Sequence, residues 1–175
     1  MKIALAQLNY TVGDVEGNAS KVIEAIEQAK QKNVDLVIFA EQALSGTPAY
    51  DLLNKATFVE LCEEELERIA EHCDSLTAIV GSPVAGDEGT VSAAVIIERG
   101  EITRRIAKQY VDYRDEMGYI HPSTGPEVIT VAGEQVAVVV GNDLVRVRDC
   151  DQSVTTIINI NARRFRKRVL EARYE

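Results

Sequence analysis

The chain has 175 residues, 46% of them apolar, which is enough for one domain with a real core and not obviously enough for two. Lys and Arg number 19 against 28 Asp and Glu, and the resulting net charge of -9 argues against nucleic acid or an anionic membrane as the main partner. No apolar run approaches the roughly 20 residues of a membrane span.

Residues 2–8 (KIALAQL) form a short apolar run suited to a buried strand, with no secretory cleavage signature around it. Gly13-Asp14-Val15-Glu16-Gly17-Asn18 follows as a turn in which Asn18 is the expected helix cap. From Ala19 to Lys32, Val22, Ile23, Ile26 and Ala29 recur at helical spacing. Val34 to Ala40 is a second buried strand, which makes the opening a β-α-β unit with parallel strands. Glu41 to Leu53 reads as loop, broken by Ser45-Gly46-Thr47-Pro48.

A second amphipathic helix carries Phe58, Cys62, Leu66, Ile69 and Cys73 on one stripe, where both cysteines read as small core residues. The three cysteines are odd in number and widely spaced, which suits a reducing compartment, and the chain is expected to be cytoplasmic. With only His72 and His121 and no C-x-x-C pair, no metal is expected. Strands are expected at 76–81, 91–98 and 101–107, the last two joined by an Arg99-Gly100 hairpin turn. Val128 to Val131 and Gln135 to Val140 make another hairpin around Gly133, and Thr155 to Asn161 is the final strand.

A charged helix is expected from about Arg163. Its Arg163, Arg164, Arg166, Lys167 and Arg168 read as a solvated face or an interface rather than a phosphate site. No repeat, low-complexity stretch or linker interrupts the chain, so residues 1–175 are read as one α/β layered domain.

Three places carry a recognisable pattern: Phe39-Ala40-Glu41-Gln42-Ala43-Leu44-Ser45-Gly46 at a strand end, Lys108 just after Arg105-Ile106-Ala107, and Gly141-Asn142-Asp143 after an apolar strand. Together they resemble the nitrilase superfamily of carbon–nitrogen hydrolases. The opening from Ala6-Gln7-Leu8-Asn9 to Asn18 most resembles the glutaminase domain of glutamine-dependent NAD synthetases. Asp51-Leu52-Leu53, Gly81-Ser82-Pro83 and Asp115-Glu116 add to that likeness. The resemblance implies a nitrilase-like α-β-β-α sandwich that needs no cofactor. It also implies a base at Glu41, an oxyanion-stabilising ammonium at Lys108 and a supporting carboxylate at Glu116. In that chemistry the carboxylate takes a thiol proton, the thiolate attacks an amide carbonyl, and the lysine stabilises the tetrahedral intermediate.

Gly141 stands where the family carries its catalytic cysteine, and a glycine forms no acyl-enzyme. Cys150 is a poor substitute, because Asp149 and Asp151 beside it disfavour the thiolate. Other departures accompany the glycine: Ala40 replaces a proline, Thr47, Ala49 and Tyr50 replace a pocket-shaping stretch, and Ser92 replaces an asparagine. Against the family pattern the segments from Lys108 to Asp115 and from Gly141 to Thr155 are short, and the resemblance leads one to expect a C-terminally truncated sandwich. Uncovered sheet edges imply a homodimer or a protein partner. The expected function is therefore that of an inactive, nitrilase-like pseudoenzyme acting through binding or assembly. The alternatives are an amide hydrolase that releases ammonia from glutamine or another amide, and a sensor that holds a small amide or carboxylate without cleaving it.

Overall fold

A computed structural model describes residues 1–111, 118–123, 125–144 and 154–162. Glu116, Cys150 and the charged helix expected from Arg163, with its basic cluster, lie outside the described residues.

The chain opens with β1 (Ile3–Leu5), α1 (Val15–Gln31) and β2 (Leu36–Ile38), and β1 pairs in parallel with β2 as the β-α-β reading requires. A 3-10 turn (Tyr50–Asn54) leads into α2 (Ala56–Ala70), which is followed by β3 (Thr77–Ala85), β4 (Thr90–Glu98) and β5 (Glu101–Ala107). Then come β6 (Glu127–Val131), β7 (Glu134–Val140) and β8 (Thr156–Ile160). The strands form a five-stranded sheet, β1-β2-β3-β4-β5, and a three-stranded sheet, β6-β7-β8. In the first sheet β3 runs parallel to β2 while β4 and β5 turn back antiparallel, and in the second β8 runs parallel to β7.

Side-chain alternation explains the layering. On the first sheet Val37, Ala78, Val80, Val95 and Ile97 face a core shared with Val22 and Ile26 of α1 and Leu66 and Ile69 of α2. The alternate residues Leu36, Ile38, Ile79, Ala94, Ile96 and Ile106 face the second sheet and meet Val136, Val138, Val140, Ile158 and Ile160. Because both faces of β3 and β4 are covered, those strands read as nearly continuous apolar runs rather than alternating ones. Burying a side chain such as Ile96, 1% exposed, contributes about 1.5–3 kcal/mol.

The first helix starts earlier than expected and is capped differently. Asp14, not Asn18, is the N-cap, and its side chain accepts from the Gly17 amide at 3.1 Å. Asn18 lies inside the first turn, fully buried. It accepts from the Thr11 amide at 2.8 Å and donates to the Thr11 and Leu44 carbonyls at 2.7 and 2.9 Å, so it ties two loops together. Cys73 falls just beyond the end of α2, although it is buried like Cys62. Burial pushes both thiols up to about 12, in keeping with a packing role.

Both expected hairpins are two-residue turns. Arg99 and Gly100 sit at φ 55° and 80° and Ala132 and Gly133 at 48° and 79°, the left-handed pair that a type I′ turn needs. The inter-sheet layer thins at one edge. Ile3 and Leu5 pair with Leu36 and Ile38 and so share their face, yet they are 39% and 74% exposed. On β8 the outward-facing Ile157 is 49% exposed.

Candidate functional site

Glu41 lies three residues past β2, and Gly81 of β3 lets the chain pass there. A Cβ on Gly81 would stand 2.2 Å from the Ala40 carbonyl oxygen and 2.6 Å from Glu41 Cα. Lys108 is the first residue after β5, placed by its amide bonding to the Ser92 carbonyl at 2.8 Å. Gly141 opens a 3-10 turn at 141–144, directly after β7, with φ at +57°.

These three strand ends converge. Lys108 Nζ donates to Glu41 Oε1 at 3.1 Å, and both residues are 3% exposed. The hydroxyl of Ser92, inside β4, donates to the same oxygen at 3.1 Å, and the Ala162 amide donates to Oε2 at 3.1 Å. A Cβ built on Gly141 would lie 2.8 Å from both Cε and Nζ of Lys108 and 3.2 Å from Glu41 Oε2. Asp143, 1% exposed, accepts from the amides of Gln109 and Tyr110 at 2.8 and 2.6 Å and so pins the chain that follows Lys108.

Removing two charges from water costs several kcal/mol per ion, and an ion pair this deeply buried persists only when further hydrogen bonds offset that cost. Ser92 and the Ala162 amide supply them on the carboxylate side. Chemically, the cluster presents a carboxylate and an ammonium to whatever side chain stands at position 141. Glu41 and Lys108 form a buried ion pair, and Gly141 lies against it. Glu116 lies outside the described residues.

Three participants went unassigned at the level of sequence. Ser92 stood out only as a departure from the family pattern and Asp143 only as part of a motif. Ala162 acts through its backbone and leaves no side-chain signal. The available clue to Ser92 was a hydroxyl inside the otherwise apolar run of β4, where a buried polar side chain needs a hydrogen-bond partner.

The profile of the carbon–nitrogen hydrolase family matches residues 2–151. The chain belongs to the carbon–nitrogen hydrolase family. Among curated relatives of this domain, the glutamine-dependent NAD(+) synthetase of Xanthomonas campestris pv. campestris is 36% identical over 150 residues, covering 82% of this chain and 27% of that protein. That of Aquifex aeolicus is 32% identical over 171 residues, covering 93% of this chain and 30% of that protein. The domain thus spans under a third of the length of these relatives, and it is a nitrilase-like domain related to their glutaminase domain.

Solved structures share its layered α/β fold. The NAD+ synthetase of Acinetobacter baumannii superposes with a TM-score of 0.86 at 22% identity over 98% of this chain and 34% of that one. An amidase from Neterenkonia sp. AN1 superposes with a TM-score of 0.83 at 20% identity over 97% of this chain and 70% of that one. A related structure of a Nesterenkonia sp. AN1 amidase variant bears acrylamide added to its active-site cysteine.

Proposed function

We propose that this carbon–nitrogen hydrolase domain is catalytically inactive and works through binding or assembly. The observation that carries the reading is Gly141. The carboxylate and ammonium converge on the one position whose residue has no side chain, so the thiolate they would serve is absent. Glu41 and Lys108 keep the roles of base and oxyanion stabiliser in outline only, with Glu116 assigned as their supporting carboxylate by resemblance. We take residues 1–175 as one domain, working in the cytoplasm without metal or cofactor. Among the described residues no helix is long and apolar enough to cross a membrane.

Ammonia release from glutamine tests the reading. Purified protein is expected to show none above the background rate, and Gly141→Cys alone is expected to restore little, because the pocket stretch at Thr47, Ala49 and Tyr50 also departs from the family pattern. Turnover by the unaltered protein that disappears on Lys108→Ala would overturn the inactive reading in favour of an amide hydrolase.

A sensing role has its own support, since a buried ammonium is retained beside Glu41 and is of the charge that suits the oxygen of a small amide or carboxylate ligand. A melting shift with glutamine or glutamate and no turnover favours that role. Assembly is supported by the bared inner face of β1 at Ile3 and Leu5, which calls for a second copy of the chain or a protein partner.

A further inference from the structure

The Glu41–Lys108 pair is closed off. Both residues are 3% exposed, so a molecule meets them only when the chain around them opens. The loops that follow the two residues share a core of their own. Ala49 and Leu53, from the loop after Glu41, are buried against Ile120, from the chain that follows Lys108. Leu52, Val111 and Tyr119 pack around them, and the rings of Tyr50 and Tyr119 meet edge to face with centroids 6.1 Å apart. This cluster is separate from the helix-facing and inter-sheet cores, and Phe58 of α2 packs against both it and the helix-facing core.

Hydrogen bonds brace the two loops at shared points. The Thr90 hydroxyl, at the start of β4, donates to the Leu53 carbonyl at 2.7 Å, and the Thr90 carbonyl accepts from the His121 amide at 2.8 Å. Further along, the Ser123 amide donates to the Lys108 carbonyl at 2.8 Å. Among the described residues, Ala49, Leu53 and Ile120 are the fully buried members of this small core. Apolar stabilisation follows the area removed from water, so the brace opens at lower cost than the sheets. Tyr50 favours opening too, because its φ of +44° is a left-handed conformation that a residue with a side chain holds at a cost.

We propose that residues 49–53 and 118–123 form a two-part gate to the Glu41–Lys108 pair, opening as one unit while both sheets stay folded. Leu53 and Ile120 couple its halves: when one loop leaves, the other loses its apolar partner. Ser123 then releases the Lys108 carbonyl, and the ammonium meets solvent. The proposal deepens the sensing reading and rests on it for the ligand, whereas the coupled opening is a property of the chain by itself.

Hydrogen exchange and lysine labelling test the gate. Ile120→Ala is expected to speed exchange about tenfold at Leu52 and Lys55, whose amides bond within the other loop, as well as at His121 and Ser123. Leu53→Ala is expected to do the same at Ser123, and the centres of β3 and β4 stay protected in both variants. Acetic anhydride is expected to acetylate Lys108 about tenfold faster in either variant, while exposed Lys32 reacts at an unchanged rate. A rise confined to the mutated loop, a rise that spreads to the sheet centres, or unchanged labelling of Lys108 overturns the gate. Should both variants fail to fold, Thr90→Val removes the hydroxyl bond to Leu53 and is read at Ser123 and Lys108 with the same outcomes. Absence of a melting shift with glutamine or glutamate sinks the sensing reading alone, whereas unchanged labelling of Lys108 sinks the gate alone.

Discussion

A single asparagine shows how a residue acquires a role from its surroundings. Asn18 has the chemistry of a helix cap, and in sequence it sits where a cap is wanted. In the folded chain Asp14 takes that position one turn earlier, and Asn18 spends three hydrogen bonds on Thr11 and Leu44 in a fully buried place. Asn18→Ala leaves buried backbone groups of both loops unpaired and is expected to destabilise the fold by about 2–3 kcal/mol. Asp14→Ala removes one exposed cap bond and is expected to cost about 0.5–1 kcal/mol. Urea unfolding of the two variants gives the order, and a larger loss from Asp14→Ala contradicts the assignment. Glu41 and Lys108 were legible as a pair because each sits at a strand end inside a family motif. Ser92 was not, because its importance lies in Glu41, 51 residues away in the chain, rather than in its own sequence context.

Elements were legible where periodicity was strong and blurred where function bends the chain. The aliphatic stripes of α1 and α2 and the two-residue turns at Arg99-Gly100 and Ala132-Gly133 follow directly from spacing and turn chemistry. A polar network also joins α1 to the segment just past α2. Glu27 of α1 accepts from His72 at 3.0 Å and Lys30 at 3.2 Å, and Lys30 reaches Asp74 at 2.9 Å. Glu27 is held below the ordinary carboxylate range chiefly by His72 and then by Lys30, and Asp74 chiefly by Lys30. A carboxyl group with a lowered folded-state pKa stabilises the protein above its unfolded value, and that contribution is lost as pH falls through the folded one. The groups are exposed and screened, so the effect is small. The melting difference between the unaltered protein and Lys30→Met is expected to shrink as pH drops from about 5 to about 3. A difference that stays constant over that range means the network contributes nothing.

At the scale of the molecule, the five-stranded sheet is covered by helices on one face and by a narrower three-stranded sheet on the other. That mismatch in width bares Ile3 and Leu5 at the β1 edge, where an aqueous monomer leaves apolar area exposed. If a second copy covers this edge, light scattering on a size-exclusion column shows a dimer, and Leu5→Lys shifts it to monomer with little loss of stability. A stable monomer at dilute and high concentration alike sinks the assembly proposal. An α/β layered domain was foreseen from the β-α-β opening and the hairpin series, and the two stacked sheets from the family resemblance. The exposed β1 face was foreseen only in kind, because which strand lies uncovered depends on how far one sheet overlaps the other.

The order of the described helices and strands, the positions of the two hairpin turns and the family were written in the sequence by itself. Each depends on interactions between near neighbours or on a pattern that survives as a string of letters. Only the tertiary structure decided that Glu41, Ser92, Lys108, Gly141 and Ala162 meet at one point, drawn from two different sheets. It also decided that the space beside Gly141 is taken by Lys108. Proximity between residues far apart in the chain is set by how the sheets stack, and an apolar interface records that stacking in no single residue.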